Sequence, residues 1–352
     1  MAPVLVLAAV LWGVGAVLGT PRRTRWTMIG LLYLAVLFAH AVLPEGHPLR
    51  TTLGGSLAEW LVLGGLVALV WVYRRGLAVL KSRVARDAGA PETEAAGPAR
   101  FREGELPRYA RHIALREIGG SGQTALKQAR VLVVGAGGLG SPALLHLAAA
   151  GVGTIGVIDD DVVEATNLQR QVAHADDRIG MPKVFSAERA MRALNPFAVL
   201  RPYHRRLTPE IAAGLFAEYD LILEGTDDIE TRYLVNRVAA GLGVPVIGAA
   251  ISQWEGQVSL WHPASGGPCY QCVFPEPPAP GLAPTCAEAG VAGPLPGVVG
   301  SIMALEAVKQ ITGAGQGLRG RLMIYDGLYA ETRVITVHSR ADCPVCGGQG
   351  AG

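Results

Sequence analysis

Charge is scarce in this chain. Only 17% of its 352 residues are Asp, Glu, Lys or Arg, while 50% are hydrophobic, and residues 1–20 carry no charged side chain. Cysteine is absent from the first 268 positions, and all five cysteines follow. That excludes a disulfide framework spread through a secreted fold. No G-x-x-x-x-G-K-[ST] segment occurs, which excludes a Walker-type ATPase. The eight histidines show no metal-ligand spacing, and there is no internal repeat. A basic surface is missing too: residues 84–352 hold 23 Lys and Arg against 27 Asp and Glu. Electrostatics therefore gives no case for nucleic acid as a partner.

The basic excess lies in the apolar N-terminus, where residues 1–83 have eight Lys and Arg against two Asp and Glu. Three apolar runs occur there, at about residues 3–20, 26–43 and 56–73. A spanning helix needs roughly 20 apolar residues, or about 17 at the short end, so the pattern predicts about three transmembrane helices. Trp26, Trp60, Trp71 and Tyr73 lie near their ends, where aromatic rings favour the membrane interface. The first loop carries Arg22, Arg23 and Arg25, and the second only Arg50 against Glu45. Basic loops stay cytoplasmic, so the N-terminus is expected outside and everything after Tyr73 inside. The expectation is a multi-pass protein of the inner (cytoplasmic) membrane with its main domain in the cytoplasm. A cleaved signal peptide is the other reading of residues 1–20, but its charged n-region is missing. His40 lies in the second run and reads either as functional or as interfacial. Residues 84–100, rich in Ala, Pro and Glu, read as a linker to a domain at 101–352.

In that domain short β-branched runs alternate with helical stretches. Strands are expected at 131–134, 154–159, 221–223 and 246–250, and helices at 141–150, 181–194 and 231–242. Such alternation builds right-handed βαβ units on a mostly parallel, Rossmann-like sheet. Strands at 257–262, 321–325 and 332–338 lack crossover helices between all of them. The sheet should therefore become mixed, with a long helix at 298–312.

Gly135-Ala136-Gly137-Gly138-Leu139-Gly140 follows the first strand and opens a helix. Glycines let backbone approach a phosphate, and free N–H groups at a helix start favour an anion. Asp159 ends the next strand, where a carboxylate can hold a ribose hydroxyl. These features alone fit NAD as well as ATP. The segment Asn167-Leu168-Gln169-Arg170-Gln171 and then Lys183 add two cations and amides suited to a triphosphate. Asp227, in Thr226-Asp227-Asp228 after a strand end, suits Mg²⁺.

Taken with Arg108-Tyr109-Ala110-Arg111-His112, these segments closely resemble the MoeB/ThiF/HesA family, prokaryotic relatives of ubiquitin-activating enzymes. The resemblance covers about residues 101–347, through Tyr325-Asp326-Gly327 and the last cysteines. It implies that Gly135, Gly137, Gly138 and Gly140 cradle phosphate and that Asp159 and Asp161 lie at the ribose side. It also implies nucleotide contacts from Asn167, Gln169, Arg170, Lys183, Asp227 and Asp228, with Asp227 on Mg²⁺. Arg111 resembles an arginine that reaches into a partner subunit's site, which implies a homodimer. The implied reaction is attack by the C-terminal carboxylate of a small ubiquitin-like or sulfur-carrier protein on the α-phosphorus of ATP. Its products are an acyl-adenylate and pyrophosphate. Arg111, Arg170, Lys183 and Asp227 are the expected catalytic residues. Family members usually have Asn where Asp228 stands, so Asp228 reads either as a perturbation of the metal site or as a helix cap.

Cys269-x-x-Cys272 and Cys343-x-x-Cys346 form two knuckles. Four thiolates at this spacing suit a structural, tetrahedral Zn²⁺. Cys286 is left over on a Pro/Gly-rich segment and reads either as a covalent acceptor of the activated protein or as a loop cysteine without chemical use. Two other functions compete: a catalytically weakened membrane scaffold of the same fold, and an NAD-dependent oxidoreductase. The second leaves Arg170, Lys183 and Asp227 without a role.

Overall fold

The structure is a computed structural model that describes residues 2–17, 20, 22–44, 46–66, 68, 69, 73, 101–278 and 289–347. The stretch expected to be a linker and Cys286 lie outside the described residues. The chain divides into two compact units, Met1–Glu92 and Thr93–Gly352.

The first unit contains helices α1 (Ala2–Val17), α2 (Arg22–Val42), α3 (Pro48–Leu53) and α4 (Leu57–Leu66). Val4, Val36 and Trp60 form its buried apolar cluster. Polar groups within it bond to backbone carbonyls. Tyr33 Oη donates to Trp60 O at 2.7 Å, and Trp60 Nε1 donates to Gly54 O at 2.9 Å. The His40 ring nitrogens lie 2.9 Å from Val36 O and 3.2 Å from Gly55 O, so this buried histidine ties α2 to the turn before α4. Three spanning helices were expected. Among the described residues one helix, Thr24–Val42, is long and apolar enough to cross a membrane, while Ala2–Gly15 and Leu57–Leu66 are shorter.

The second unit is built on one eight-stranded sheet in the order β3-β2-β1-β4-β5-β6-β7-β8. Strands β1 (Arg130–Val134), β2 (Thr154–Ile158), β3 (Val199–Tyr203), β4 (Leu221–Glu224) and β5 (Val246–Ile251) pair in parallel. Strands β6 (Glu255–Trp261), β7 (Arg321–Asp326) and β8 (Glu331–Thr336) add antiparallel pairs, so the sheet is mixed and mostly parallel. The continuous apolar run of β1 follows from burial on both faces. Val131 and Val133 enter one core and Leu132 and Val134 the other, as a period of two requires.

The first core lies under α6 (Gly119–Gln128), α7 (Gly140–Ala150), α8 (Lys183–Leu194) and the long α12 (Pro294–Thr312). The second lies under α9 (Pro209–Phe216) and α10 (Ile229–Leu242). The short α5 (Ala110–Ile113) precedes α6, and α11 (Tyr270–Val273) carries the first cysteine pair. Strand order reverses between β1 and β4, which opens a crevice at their C-terminal ends where ligands bind in such sheets.

The segment before α5 is anchored by a buried ion pair. Lys127 Nζ lies 2.6 Å from Glu105 Oε1, with Lys127 9% and Glu105 0% exposed. Glu105 also accepts from Arg102 N at 2.9 Å and from Tyr109 Oη at 3.3 Å. Gly151 closes α7 at φ 87°, where a Cβ would lie 2.5 Å from Tyr109 Cζ, so the same segment packs on the helix end. Removing one partner of such a pair leaves a buried charge and typically costs about 3–5 kcal/mol. Lys127→Ala is therefore expected to lower stability by about 3–5 kcal/mol in denaturant titration. A loss near zero would mean that Glu105 is solvated or neutral.

Candidate nucleotide site and cysteine centre

The turn after β1 is shaped by close backbone approaches. Gly135 has φ 94°, and a Cβ on Gly140 would lie 1.9 Å from Gly135 O. Both ends of the turn thus need glycine. Between them Ala136 is held through both of its backbone polar groups. Its N–H donates to Asp159 Oδ2 at 2.7 Å. Its carbonyl accepts from Ser141 Oγ at 3.2 Å and lies 2.9 Å from His174 Nε2. A carbonyl only accepts, so His174 Nε2 carries the proton, and in the neutral ring Nδ1 accepts from Ser186 Oγ at 2.9 Å. Burial pushes His174 below its ordinary pKa, helped by the charges of Lys183 and Arg178. Burial pushes Asp159 above its ordinary value, opposed by the N–H groups of Ala136 and Asp161 and by Lys183.

Other expected residues surround this turn. A Cβ on Gly138 would meet Pro296 at 3.0 Å and Arg170 Cγ at 3.9 Å, and one on Gly137 would meet Gln171 Nε2 at 3.7 Å. A Cβ on Gly135 would lie 3.1 Å from Thr226 Cγ2, so the ends of β1 and β4 meet. Arg170 Nη2 donates to Asn167 Oδ1 at 2.9 Å. Gln169 lies against Gly293, where a Cβ would come 2.5 Å from its Oε1. Lys183 opens α8 nearly buried and pairs with the more exposed Asp161 at 2.8 Å. The structure thus brings the glycine turn, Asp159, Asp161, Asn167, Gln169, Arg170, Lys183 and Thr226 to one crevice. Arg111 is exposed on α5 and, among the described residues, makes no hydrogen bond or ion pair.

Asp227 is exposed beside this crevice and is likewise without a hydrogen bond among the described residues. Its neighbours are fixed. Thr226 donates through N at 2.8 Å and Oγ1 at 2.7 Å to Glu224 Oε1. Asp228 caps α10, accepting from Thr231 N at 3.1 Å and Thr231 Oγ1 at 2.5 Å, with Arg206 3.5 Å away. Burial pushes the Asp228 carboxyl up, but the Thr231 bonds and the Arg206 charge outweigh it and hold the group below its ordinary value.

The residues present fit a magnesium-bound nucleotide. The glycine cradle, an α7 start with free N–H groups and two nearby cations suit phosphate. Gln171 Oε1, buried beside the cradle, has no hydrogen-bond partner.

The four knuckle cysteines are buried and unbridged, with Sγ···Sγ distances of 3.3, 3.6 and 3.9 Å. Zn–S bonds of about 2.3 Å in a tetrahedron place sulfurs about 3.8 Å apart, so the cluster is compatible with zinc. Burial raises the Cys269 thiol to about 11. Backbone N–H groups of Cys346 and Val345 outweigh burial at Cys343 and lower it to about 7.

Several contributors carry no sequence signal of their own. His174, Glu224, Arg232, Asn236 and Tyr270 act through contacts between distant segments. The signal that could have found two of them is the four-residue spacing of Arg232 and Asn236, which puts them on one helix face.

Fold and crevice together define a Rossmann-like protein with an anion-suited crevice and a four-cysteine cluster compatible with zinc. Residues 109–345 match the ThiF family, and the chain belongs to that family. It is 48% identical over 254 residues to the sulfur carrier protein adenylyltransferase of Thermus thermophilus, covering 71% of this chain and 94% of that protein. It is 46% identical to the SAMP-activating enzyme E1 of Haloferax volcanii, covering 70% and 90%. Against the adenylyltransferase and sulfurtransferase MOCS3 of Bos taurus identity is 45%, and the chain spans 53% of that longer protein. The crystal structures of PaaA (23% identity, TM-score 0.59, covering 75% of this chain and 82% of that one) and of E. coli MccB with ATP (22%, 0.60, 68% and 75%) share the fold.

Asn and Asp cap helices about equally well, whereas Ala costs about 1 kcal/mol. Asp228→Asn is therefore expected to leave thermal stability nearly unchanged and Asp228→Ala to lower it by about 1 kcal/mol. An Asn variant as unstable as the Ala variant would show that the charge pairing with Arg206, and not the cap, is what matters.

Proposed function

We propose that this protein uses ATP to adenylylate the C-terminal carboxylate of a small ubiquitin-like or sulfur-carrier protein, releasing pyrophosphate. The observation that carries this reading is the convergence of an anion-binding glycine turn, Arg170, Lys183 and an exposed Asp227 at the β1/β4 crevice of a ThiF-family chain. The N–H groups of the turn and the α7 start orient the triphosphate. Asp159 holds the ribose, and Asn167 steers the Arg170 guanidinium. Lys183 leaves or shares Asp161 to meet phosphate oxygens. Asp227 would hold Mg²⁺, which supplies charge neutralisation. The incoming carboxylate is already a nucleophile, so the step needs positioning and charge screening more than a general base. The knuckle cysteines Cys269, Cys272, Cys343 and Cys346 would hold Zn²⁺ as a structural tie.

Two copies are proposed to act together. Val172, Val298, Leu305 and Leu115 leave exposed apolar side chains on the loop before α8, on α12 and on the segment after α5, and Arg111 lies on α5 itself. The N-terminal unit is proposed to attach the enzyme to the cytoplasmic membrane. Basic clusters at Arg22 to Arg25 and Arg74 to Arg83 flank it. Basic flanks stay inside, so α2 would enter and the apolar run at about residues 56–73, which α4 begins, would return, the two joined through Tyr33 and His40. Fusions of a reporter after Arg83 should then be cytoplasmic and fusions near Arg50 external. A reporter outside the cell after Arg83 would separate the domain from ATP and exclude the mechanism.

Asp227→Ala should cut carrier-dependent ATP–pyrophosphate exchange about 10²–10³-fold while leaving the fold intact. Arg111→Ala should be similarly impaired, and mixing the two variants should restore part of the activity through hybrid dimers. Undiminished exchange in Asp227→Ala would overturn its role, and hybrid dimers without rescue would overturn the shared site.

A further inference from the structure

Asp227 stands on a loop whose two anchors both lead to the cysteine centre. The first is Arg232, on the first turns of α10. Its guanidinium donates from Nη2 to Thr226 O at 2.8 Å and to Ala249 O at 3.2 Å, and from Nε to Glu224 Oε2 at 3.1 Å. Glu224 is 2% exposed and its other oxygen grips Thr226, so one ion pair holds both the N–H and the carbonyl of the residue before Asp227. The far face of the guanidinium lies 5.8 Å from the centre of the Tyr270 ring. Tyr270 is inside the first cysteine knuckle, stacked on Phe274 at 4.8 Å and edge-on to Trp261 at 5.8 Å.

The second anchor is α10 itself. Asp228 caps it, and one turn beyond Arg232 on the same face stands the buried Asn236. Asn236 Oδ1 accepts from Tyr270 N at 2.8 Å, and its Nδ2 lies 3.7 Å from Cys269 Sγ. A single helix thus carries the cap beside Asp227, the arginine that clamps Thr226, and the amide that reaches a metal-ligating sulfur.

We infer that Arg232 is a positioning residue for Asp227 and that, through Tyr270 and Asn236, it couples magnesium–nucleotide binding to the metal-loaded cysteine centre. The coupling rests on the proposed role of Asp227. A loaded centre holds the knuckle rigid, the knuckle holds the Tyr270 ring and Asn236, and these fix α10 and the Thr226 carbonyl. Coupling free energies are reciprocal, so magnesium–ATP must in turn retard loss of zinc from the centre.

The test uses the full-length, zinc-loaded protein and two readouts. Zinc release to an excess of chelator is followed with and without magnesium–ATP, and the KM for magnesium–ATP is measured in pyrophosphate exchange. Magnesium–ATP should slow zinc release several-fold in the wild type. Arg232→Lys keeps the charge beside Glu224 but loses the planar fork and the ring contact. It should retain one zinc per chain, raise the KM about tenfold with a smaller change in kcat, and abolish the protection. Tyr270→Leu, which leaves the Arg232–Glu224 pair intact, should weaken the protection in the same direction, and so separates coupling from misfolding. Equal zinc-release rates with and without magnesium–ATP in the wild type, or full protection in Arg232→Lys, would overturn the coupling. If Asp227→Ala bound magnesium–ATP normally, the site reading itself would fall, and the coupling with it.

Discussion

The crevice depends on how the two peptide groups on either side of Ala136 are held. The N–H of Ala136 faces the Asp159 carboxylate, while its carbonyl takes hydrogen bonds from His174 and Ser141. With both peptides of Ala136 fixed, the backbone that leads into α7 is held in place before any ligand arrives. Preorganised donors lose no reorganisation energy when an anion arrives, which is why they outperform water as a solvating shell. Asp159 and His174 both lie in the connection from β2 to α8 and Ser141 lies on α7, so the turn is the junction where that connection and α7 are tied together. Lys183, one helical turn from the Ser186 that bonds His174, inherits its position from the same junction.

How much of this could be read from the chain depended on whether the interactions were local. The β1 run and the glycine turn were legible because burial on both sheet faces and the need for φ above zero each leave a mark within six residues. Strand β3 left none, since Arg201 and Pro202 interrupt its apolar pattern. Pro is tolerated there because β3 lies at the sheet edge. The three glycines at 119, 120 and 122 similarly hide α6, whose helix is made by packing under α12 rather than by propensity. The choice between cap and metal ligand for Asp228 needed the Thr231 contacts. In the crevice, the pairing of Lys183 with Asp161 and the clamp of Arg232 on Thr226 depend on chain segments that only the fold brings together.

In the N-terminal unit composition was a poorer guide. Apolar runs do not state how long each helix will be, and polar side chains such as Tyr33, His40 and Trp60 bond to carbonyls between helices instead of marking helix ends. Such bonds suit a bundle in a low-dielectric setting, where every backbone carbonyl freed at a turn needs a donor. Attachment of an activating enzyme to a membrane would confine carrier activation to one surface and raise the local concentration of carrier, donor and acceptor there.

The central claim is that the crevice transfers AMP to a terminal carboxylate. The most direct measurement incubates the full-length protein with ATP labelled at the α-phosphorus and a small carrier protein ending in Gly-Gly, then assays hydroxylamine-labile label on the carrier. Label should appear on the free carboxylate form together with pyrophosphate, and none should appear when the carrier terminus is amidated. ATP binding without any labelled carrier, or equal labelling of the amidated form, would contradict the account.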